Sequence, residues 1–198
     1  AMIKIASLAF SVLALQGCGD PVTEIEPRPA ADDSVPEIGI VATTGMIGDL
    51  VRGVVGDRGE VAVLMGEGID PHLFTPTASD VRRLLAADVV FHNGLMLEGR
   101  MRTVLSSADG PLARSIAVTE VLPEETLLHP PDAVGHADPH VWMDVLAWSE
   151  TIEPIVRGLC ETDPEGCEVF EANGIRLLED LAALDRYARS VVVTVPSN

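Results

Sequence analysis

Short β-branched runs alternate along this chain with segments whose apolar residues recur at helical spacing. The runs predict strands at residues 38–43, 61–65, 89–91 and 115–118. Helical spacing predicts helices at 46–55, from Thr77 onward and at 97–105, and Asp80 gives the helix after Thr77 the pattern of a capping box. This alternation predicts an α/β fold, with a parallel β-sheet flanked by helices on both faces.

The pattern beyond residue 140 is helical. One helix is predicted over 142–159, and Asp163-Pro164 marks the start of a long second helix that runs to about Arg189. The run 191–195 then predicts a strand with no sheet to join. We therefore expect a helical segment over 144–190 that contains a long linker helix, and the start of a C-terminal lobe at 191–198, with the sequence truncated there and a second α/β lobe missing.

The first 36 residues have the pattern of a targeting segment and a tether, not of a folded domain. Lys4 and a following apolar stretch too short to span a bilayer predict a signal peptide over 1–17. Leu15-Gln16-Gly17-Cys18 resembles the lipobox of bacterial lipoproteins, in which the cysteine carries the lipid; an ordinary cleaved signal with an incidental cysteine is the alternative. Residues 18–36, rich in Pro, Ala, Asp and Glu, predict a flexible tether. We expect a periplasmic or cell-surface protein that is anchored to the membrane through lipidated Cys18.

Composition narrows the possible partners. The chain has 198 residues, 47% of them hydrophobic, which is typical of a globular protein. Its formal net charge of −18 argues against nucleic acid as a partner, because phosphate binding needs clustered Lys and Arg. The same charge raises the local concentration of cations, though only modestly at physiological ionic strength.

Two cysteines bear on the redox compartment. Cys160 and Cys167 flank a predicted helix-helix turn, and export to an oxidising compartment favours a disulfide between them. Two unrelated buried thiols are the alternative. No CxxC spacing occurs, so neither a zinc ribbon nor a thioredoxin motif is indicated.

The tripeptide Asp-Pro-His occurs twice, ending at His72 and at His140. Proline fixes its own φ and extends the preceding residue, so each imidazole is presented from a stiffened loop. Both histidines follow predicted strands, and ligands of open α/β sheets bind beyond the carboxyl ends of strands. Imidazole is the commonest protein ligand for metals such as zinc. We therefore predict His72 and His140 as metal ligands in the 37–143 lobe, against the alternative of two loop histidines that satisfy local hydrogen bonds.

Neighbouring polar and aromatic residues have less specific interpretations. Asp70 and Asp138 are expected to make turn bonds before proline, with support of the ligand imidazole as the less favoured role. The remaining residues are expected to be structural or solvated: His129 and His136 as loop residues in water, His92 as a packed strand end, Asn93-Gly94 as a turn, Glu98 as a helix-start charge, and Trp142 and Trp148 as packing residues.

Motifs along most of the chain resemble those of the substrate-binding lipoproteins of ABC importers for zinc and manganese (cluster A-I). The matching stretches share their order and spacing with that family: Ala42-Thr43-Thr44-Gly45-Met46-Ile47 with Asp49, Leu64-Met65-Gly66, Asp70-Pro71-His72, Thr75-Pro76-Thr77-Ala78-Ser79-Asp80, Ala87-Asp88, Asn93-Gly94-Leu95 with Leu97-Glu98, and Asp138-Pro139-His140-Val141-Trp142-Met143-Asp144.

The resemblance implies two α/β lobes joined by a rigid helix, with the metal between them. It implies that His72 and His140 are ligands and that a Glu or His and an Asp come from the second lobe. It also implies that Zn²⁺ or Mn²⁺ is the cargo and that a membrane permease is the partner, without covalent chemistry.

Two other functional classes fit the sequence less well. A secreted metal-dependent hydrolase that uses the same histidines would need a catalytic acid or base beside the metal. The sequence contains no His-Glu-x-x-His motif, and it contains neither a nucleophile elbow nor a phosphate-binding glycine loop. An adhesin or structural lipoprotein would leave both Asp-Pro-His loops unexplained. The sequence therefore favours a metal-binding receptor that is not an enzyme.

Overall fold

Four parallel strands form a single sheet in this computed structural model, which describes residues 38–105, 114–131 and 135–195. The predicted signal peptide, Cys18 and the tether lie outside the described residues. The strands are β1 (Ile38–Thr44), β2 (Gly59–Met65), β3 (Val89–His92) and β4 (Ser115–Ala117), in the spatial order β2-β1-β3-β4. The predicted α/β class is confirmed.

In the described ranges, helices follow the first three strands, and after β4 the remaining elements are all helical. They are α1 (Gly45–Val55), α2 (Ala78–Ala86), α3 (Arg102–Leu105), α4 (Val145–Glu150), α5 (Ile152–Thr162) and α6 (Cys167–Val192). Short 3-10 turns lie between them at Gly56–Arg58, Val118–Val121, Glu124–Thr126, Val141–Met143 and Pro164–Gly166. None of the helices in the described ranges has both the length and the apolarity that a bilayer crossing requires.

Side chains of the central strands alternate between two apolar layers. Ile40 and Phe91 face the larger layer, which includes residues of α1, α4 and α5, whereas Val41 and Val90 face the smaller layer with Leu84 of α2. Burial on both faces explains why β1 is almost continuously apolar. The helices on both faces hold the strand ends, and hence the loops that follow them, in fixed positions.

The helix α2 begins with the predicted capping box. Thr77 Oγ1 accepts a hydrogen bond from the backbone N–H of Asp80, and Asp80 Oδ2 accepts one from the Thr77 backbone N–H. The bond from the Thr77 backbone N–H first, and one from the Thr77 hydroxyl second, lower the pKa of the Asp80 carboxyl. The box fixes where the chain enters α2 after the first Asp-Pro-His loop.

The helix predicted at 97–105 is wrong for most of its length. Only Arg102–Leu105 is helical, and Leu95 and Met96 adopt φ values of +50° and +66°. The Glu98 carboxylate accepts hydrogen bonds from the backbone N–H groups of Asn93 and Gly94, which holds this segment as a series of turns. Hydrogen bonds from the backbone to the Glu98 side chain thus take the place of the helical backbone bonds that the apolar spacing predicts.

The single helix predicted over 142–159 is divided into three pieces. Asp144 Oδ1 accepts hydrogen bonds from the N–H groups of Leu146 and Ala147, so a new helix starts at Val145. A second break falls at Thr151, because Pro154 has no N–H to donate to residue 150. The restart at Ile152 places Pro154 in a first helical turn, where that N–H is not needed.

The long helix α6 follows the Asp163-Pro164 start as predicted, with Asp163 Oδ1 accepting from the N–H of Gly166. Its mid-helix Gly174 packs against α5, since a Cβ there would lie 2.8 Å from Val156 Cγ2. The predicted strand at 191–195 is wrong: the helix continues to Val192 and ends in a turn. The preference of β-branched residues for strands is weak. Here the N–H of Val193 donates to the Arg189 carbonyl, as in a helix.

The predicted disulfide between Cys160 and Cys167 is present, with its Cα atoms 4.5 Å apart. It joins the last turn of α5 to the first residue of α6. Nearby, Arg58 and Asp163 form an ion pair of 2.7 Å that ties this helix corner to the turn after α1.

Candidate metal centre

The first Asp-Pro-His loop follows β2. Asp70 Oδ1 accepts a hydrogen bond of 2.9 Å from the backbone N–H of His72, which is the turn bond that the sequence predicts. His72 lies in the exposed part of this loop, before the chain enters α2. A short proline turn therefore presents the imidazole at the carboxyl end of the sheet.

The second loop repeats this geometry and adds a bond. Asp138 Oδ1 accepts from the backbone N–H of His140 at 2.9 Å and lies 2.6 Å from His140 Nδ1. The backbone bond first, and the ring bond second, lower the pKa of the Asp138 carboxyl. The less favoured role for Asp138, support of the imidazole, is thus present together with the turn bond. With a proton on Nδ1 donated to Asp138, the lone pair of Nε2 faces outward.

The structure brings the two predicted ligand residues together. Their Nε2 atoms lie 3.3 Å apart, and their ring centroids are separated by 5.3 Å. Two nitrogen ligands at about 2.05 Å from a tetrahedral zinc ion would themselves lie about 3.3 Å apart. The observed separation therefore matches one edge of a zinc coordination tetrahedron, and it also lies within range of a hydrogen bond between the two rings.

The position of this pair follows from the topology. From β1 the chain passes through α1 to β2 on one side, and β3 pairs with β1 on the other side. The sheet order therefore reverses between β1 and β3, and ligands of open α/β sheets bind in the crevice at such a point.

A buried polar network lies behind the second loop. Glu98 is only 4% exposed, and its Oε1 accepts 2.7 Å hydrogen bonds from the Thr43 hydroxyl and from the backbone N–H of Asn93. The Asn93 side-chain amide in turn donates to the carbonyl of Pro139 at 3.0 Å. The network therefore connects the ends of β1 and β3 to the residue that precedes His140.

These roles are not evident from the sequence pattern, in which Asn93-Gly94 indicates a simple turn and Glu98 a charge at a helix start. The flanking Leu97 and Met101 are buried, but apolar spacing alone cannot distinguish an acid that points inward from one in water.

The aromatic residues pack as expected and also contact the site. Trp142 meets the His140 ring edge-on with centroids 5.2 Å apart, and it meets Trp148 at 6.4 Å. Trp148 is buried in the larger core layer. The His140 ring is thus supported by an indole on one side and by a carboxylate at Nδ1.

The other three histidines in the described ranges have different surroundings from the pair. His92 is mostly buried at the end of β3, and this burial lowers its pKa despite the opposing effect of Glu98 and Glu120. His129 forms an ion-pair contact of 3.1 Å with Glu124, and His136 is exposed. These positions agree with the packed and solvated roles that the sequence predicts.

Comparison with known proteins gives a consistent pattern. Residues 40–198 match the family model described as ZnuA, zinc-uptake complex component A, periplasmic. The manganese-binding lipoprotein MntA of Bacillus subtilis is 33% identical over 192 residues, which cover 96% of this chain and 60% of MntA. The zinc-binding protein TroA of Treponema pallidum is 36% identical over 170 residues, which cover 86% of this chain and 54% of TroA.

Solved structures resemble this fold over similar fractions of the chain. The periplasmic zinc-binding protein TroA from Treponema pallidum superimposes with a TM-score of 0.74 at 36% identity, covering 81% of this chain and 57% of TroA. The Fe(III)-bound YtgA from Chlamydia trachomatis gives a TM-score of 0.72 at 28% identity, covering 81% and 55% respectively. The chain thus spans between half and two thirds of the length of these relatives.

Proposed function

We propose, because this chain belongs to the ZnuA family of periplasmic zinc-uptake components, that it captures a divalent transition metal outside the cytoplasm and delivers it to an ABC import permease. The cargo would be Zn²⁺ or Mn²⁺, the metals in the names of the relatives TroA and MntA. The single observation that carries the proposal is the 3.3 Å separation of the two Nε2 atoms.

The proposed ligands are His72 and His140, in a metal-binding lobe formed by residues 37–143. Residues 144–190 would be the helical segment that carries the long α6 helix. Zinc prefers four ligands, so the pair accounts for two positions and leaves two for other donors. Asp138 would act as the carboxylate that orients the His140 ring and raises its basicity.

The proposed location is the periplasm or the cell surface, with lipidated Cys18 as the membrane anchor. MntA is named as a lipoprotein and the family description is periplasmic, which supports this location. The Cys160–Cys167 disulfide also supports it, because disulfides persist in oxidising compartments.

Capture requires no covalent chemistry. Neutral imidazoles bind the cation and protonated ones do not, so acidification would release it. The strong negative charge of the chain favours the approach of cations. The hydrolase alternative lacks comparable support, because the named relatives bind metals and the family description is a component of uptake.

Calorimetric titration with Zn²⁺ and with Mn²⁺ tests the proposal. His72→Ala and His140→Ala should each weaken binding about tenfold or more while leaving the far-ultraviolet circular dichroism unchanged. His136→Ala is the matched control, because this exposed histidine lies in the same loop as His140. If both ligand variants bind like the parent, the assignment is wrong; turnover in a hydrolase screen with added metal would favour the enzyme instead.

A further inference from the structure

A second group of metal-ligating side chains lies at the corner between α5 and α6. Cys160, Cys167 and Glu171 place one potential ligand atom each within 4.8 Å of one another. In the described part of the chain, this is the one set of three or more His, Cys, Asp or Glu residues that converges so closely. The set shares no residue with the histidine pair.

The three residues share one face of the corner. Cys167 and Glu171 are four residues apart on α6, and Cys167 Sγ lies 3.9 Å from Glu171 Oε1. Cys160, in the last turn of α5, faces them across the disulfide. All three line a groove of about 830 Å³, and both cysteines are partly exposed within it. A reductant and a cation can therefore reach the sulfur atoms.

We propose that reduction of this disulfide creates a metal site made of the Cys160 and Cys167 thiolates and the Glu171 carboxylate. A dithiol reductant would donate two electrons and two protons to the S–S bond, leaving two thiols on the protein and a disulfide on the reductant. A divalent cation then displaces both thiol protons and bonds to both sulfurs. The Cys160–Cys167 disulfide has no thiolate to offer, so its redox state decides whether the site exists.

The donor set determines which cations the site takes. Two thiolates and a carboxylate suit Zn²⁺ and Cd²⁺, whereas Mn²⁺ prefers oxygen donors. The site therefore selects thiophilic cations over Mn²⁺. Three protein ligands leave one coordination position of a tetrahedral ion for water or a thiol.

The corner has other contacts that keep it folded after reduction. Leu159 and Phe170, which flank the two cysteines on α5 and α6, are fully buried in the larger core layer. The Arg58–Asp163 ion pair fixes the intervening turn. Because these contacts do not involve sulfur, the two thiols stay close together, and a metal ion can bridge them.

Cadmium titration of the His72→Ala/His140→Ala double variant isolates the new site. The protein is reduced with a phosphine, which is then removed under argon, and thiolate-to-cadmium charge-transfer absorbance is recorded. We expect one Cd²⁺ per reduced chain and none per oxidised chain. Mn²⁺ at the same concentration should leave the bound Cd²⁺ in place.

Further variants assign the ligands. Added to the same background, Cys167→Ser should abolish the absorbance, and Glu171→Gln should weaken cadmium binding about tenfold with an unchanged thiol titre. Glu168→Gln is the matched control, an exposed α6 glutamate outside the cluster. Failure of the reduced double variant to bind Cd²⁺, or equal binding by the Glu171 and Glu168 variants, would overturn the proposal. Loss of helical circular dichroism on reduction would overturn it as well, because the site needs a folded corner.

Discussion

The Asn93 side-chain amide donates a 3.0 Å hydrogen bond to the carbonyl of Pro139, the residue directly before His140. Asn93 is fully buried at the end of β3, so this bond fastens an exposed loop to the rigid sheet. The position of the His140 imidazole thus depends on a residue that does not touch it.

Asn93→Ala should weaken metal binding about tenfold, because the His140 loop loses its attachment to β3. It should also lower the free energy of unfolding by about 1–3 kcal/mol through the lost buried bonds. Asn173→Ala is the matched control: this buried amide donates to the Val54 carbonyl, away from the histidines. Calorimetry and urea unfolding should show a similar stability loss for both variants, and a loss of affinity for Asn93→Ala alone.

Replacement of Glu98 should destabilise the protein in a graded way. Glu98→Leu leaves the Thr43 hydroxyl and the Asn93 N–H without an acceptor, at a cost of about 1–3 kcal/mol for each group. Glu98→Gln keeps one acceptor oxygen and should cost less. Urea unfolding measures both, and an equal loss for the two variants would mean that the negative charge matters more than the hydrogen bonds.

Removal of Arg58 should be costly, since it leaves the Asp163 carboxylate, 7% exposed, without its cation. Breaking a buried pair from one side typically costs about 3–5 kcal/mol. Arg157→Ala breaks an exposed pair with Glu153 and should change the free energy of unfolding by less than about 1 kcal/mol. Similar melting temperatures for the two variants would contradict this prediction.

Stability should fall with acidification below about pH 6.5 because of His92. Burial lowers the pKa of His92 in the folded state, so the unfolded chain binds more protons between that lowered value and the ordinary imidazole pKa. The unfolding free energy then decreases as the pH drops through this window, by at most about 1.4 kcal/mol per pH unit. His92→Gln should remove this part of the slope in urea titrations, and His129→Gln, at an exposed site, should retain it.

The sequence predicts the sheet well, because its central strands β1 and β3 are buried on both faces and are therefore almost continuously apolar. It also predicts the position of the histidine pair: a repeated Asp-Pro-His after two strands of one parallel sheet brings His72 and His140 to the same edge. It fails where side chains bond to the backbone. The hydrogen bonds to Glu98 determine the local structure at 95–101, and those to Asp144 determine where α4 begins. The spacing of apolar residues does not indicate either set of bonds.

Helix ends show the same limit. Pro154 and Thr151 together divide a segment whose hydrophobic pattern is continuous, and the valines at 191 and 192 extend α6 instead of forming a strand. In both places the hydrogen bonds available to the backbone outweigh the preferences of individual side chains.

The contact between Trp142 and His140 gives the protein a built-in optical probe. An indole 5.2 Å from the imidazole responds to the electric field of a cation bound there, whereas Trp148 is buried and responds less. Intrinsic fluorescence should therefore follow occupancy of the histidine pair without an added dye. A Trp142→Phe protein should lose most of that signal and keep its affinity.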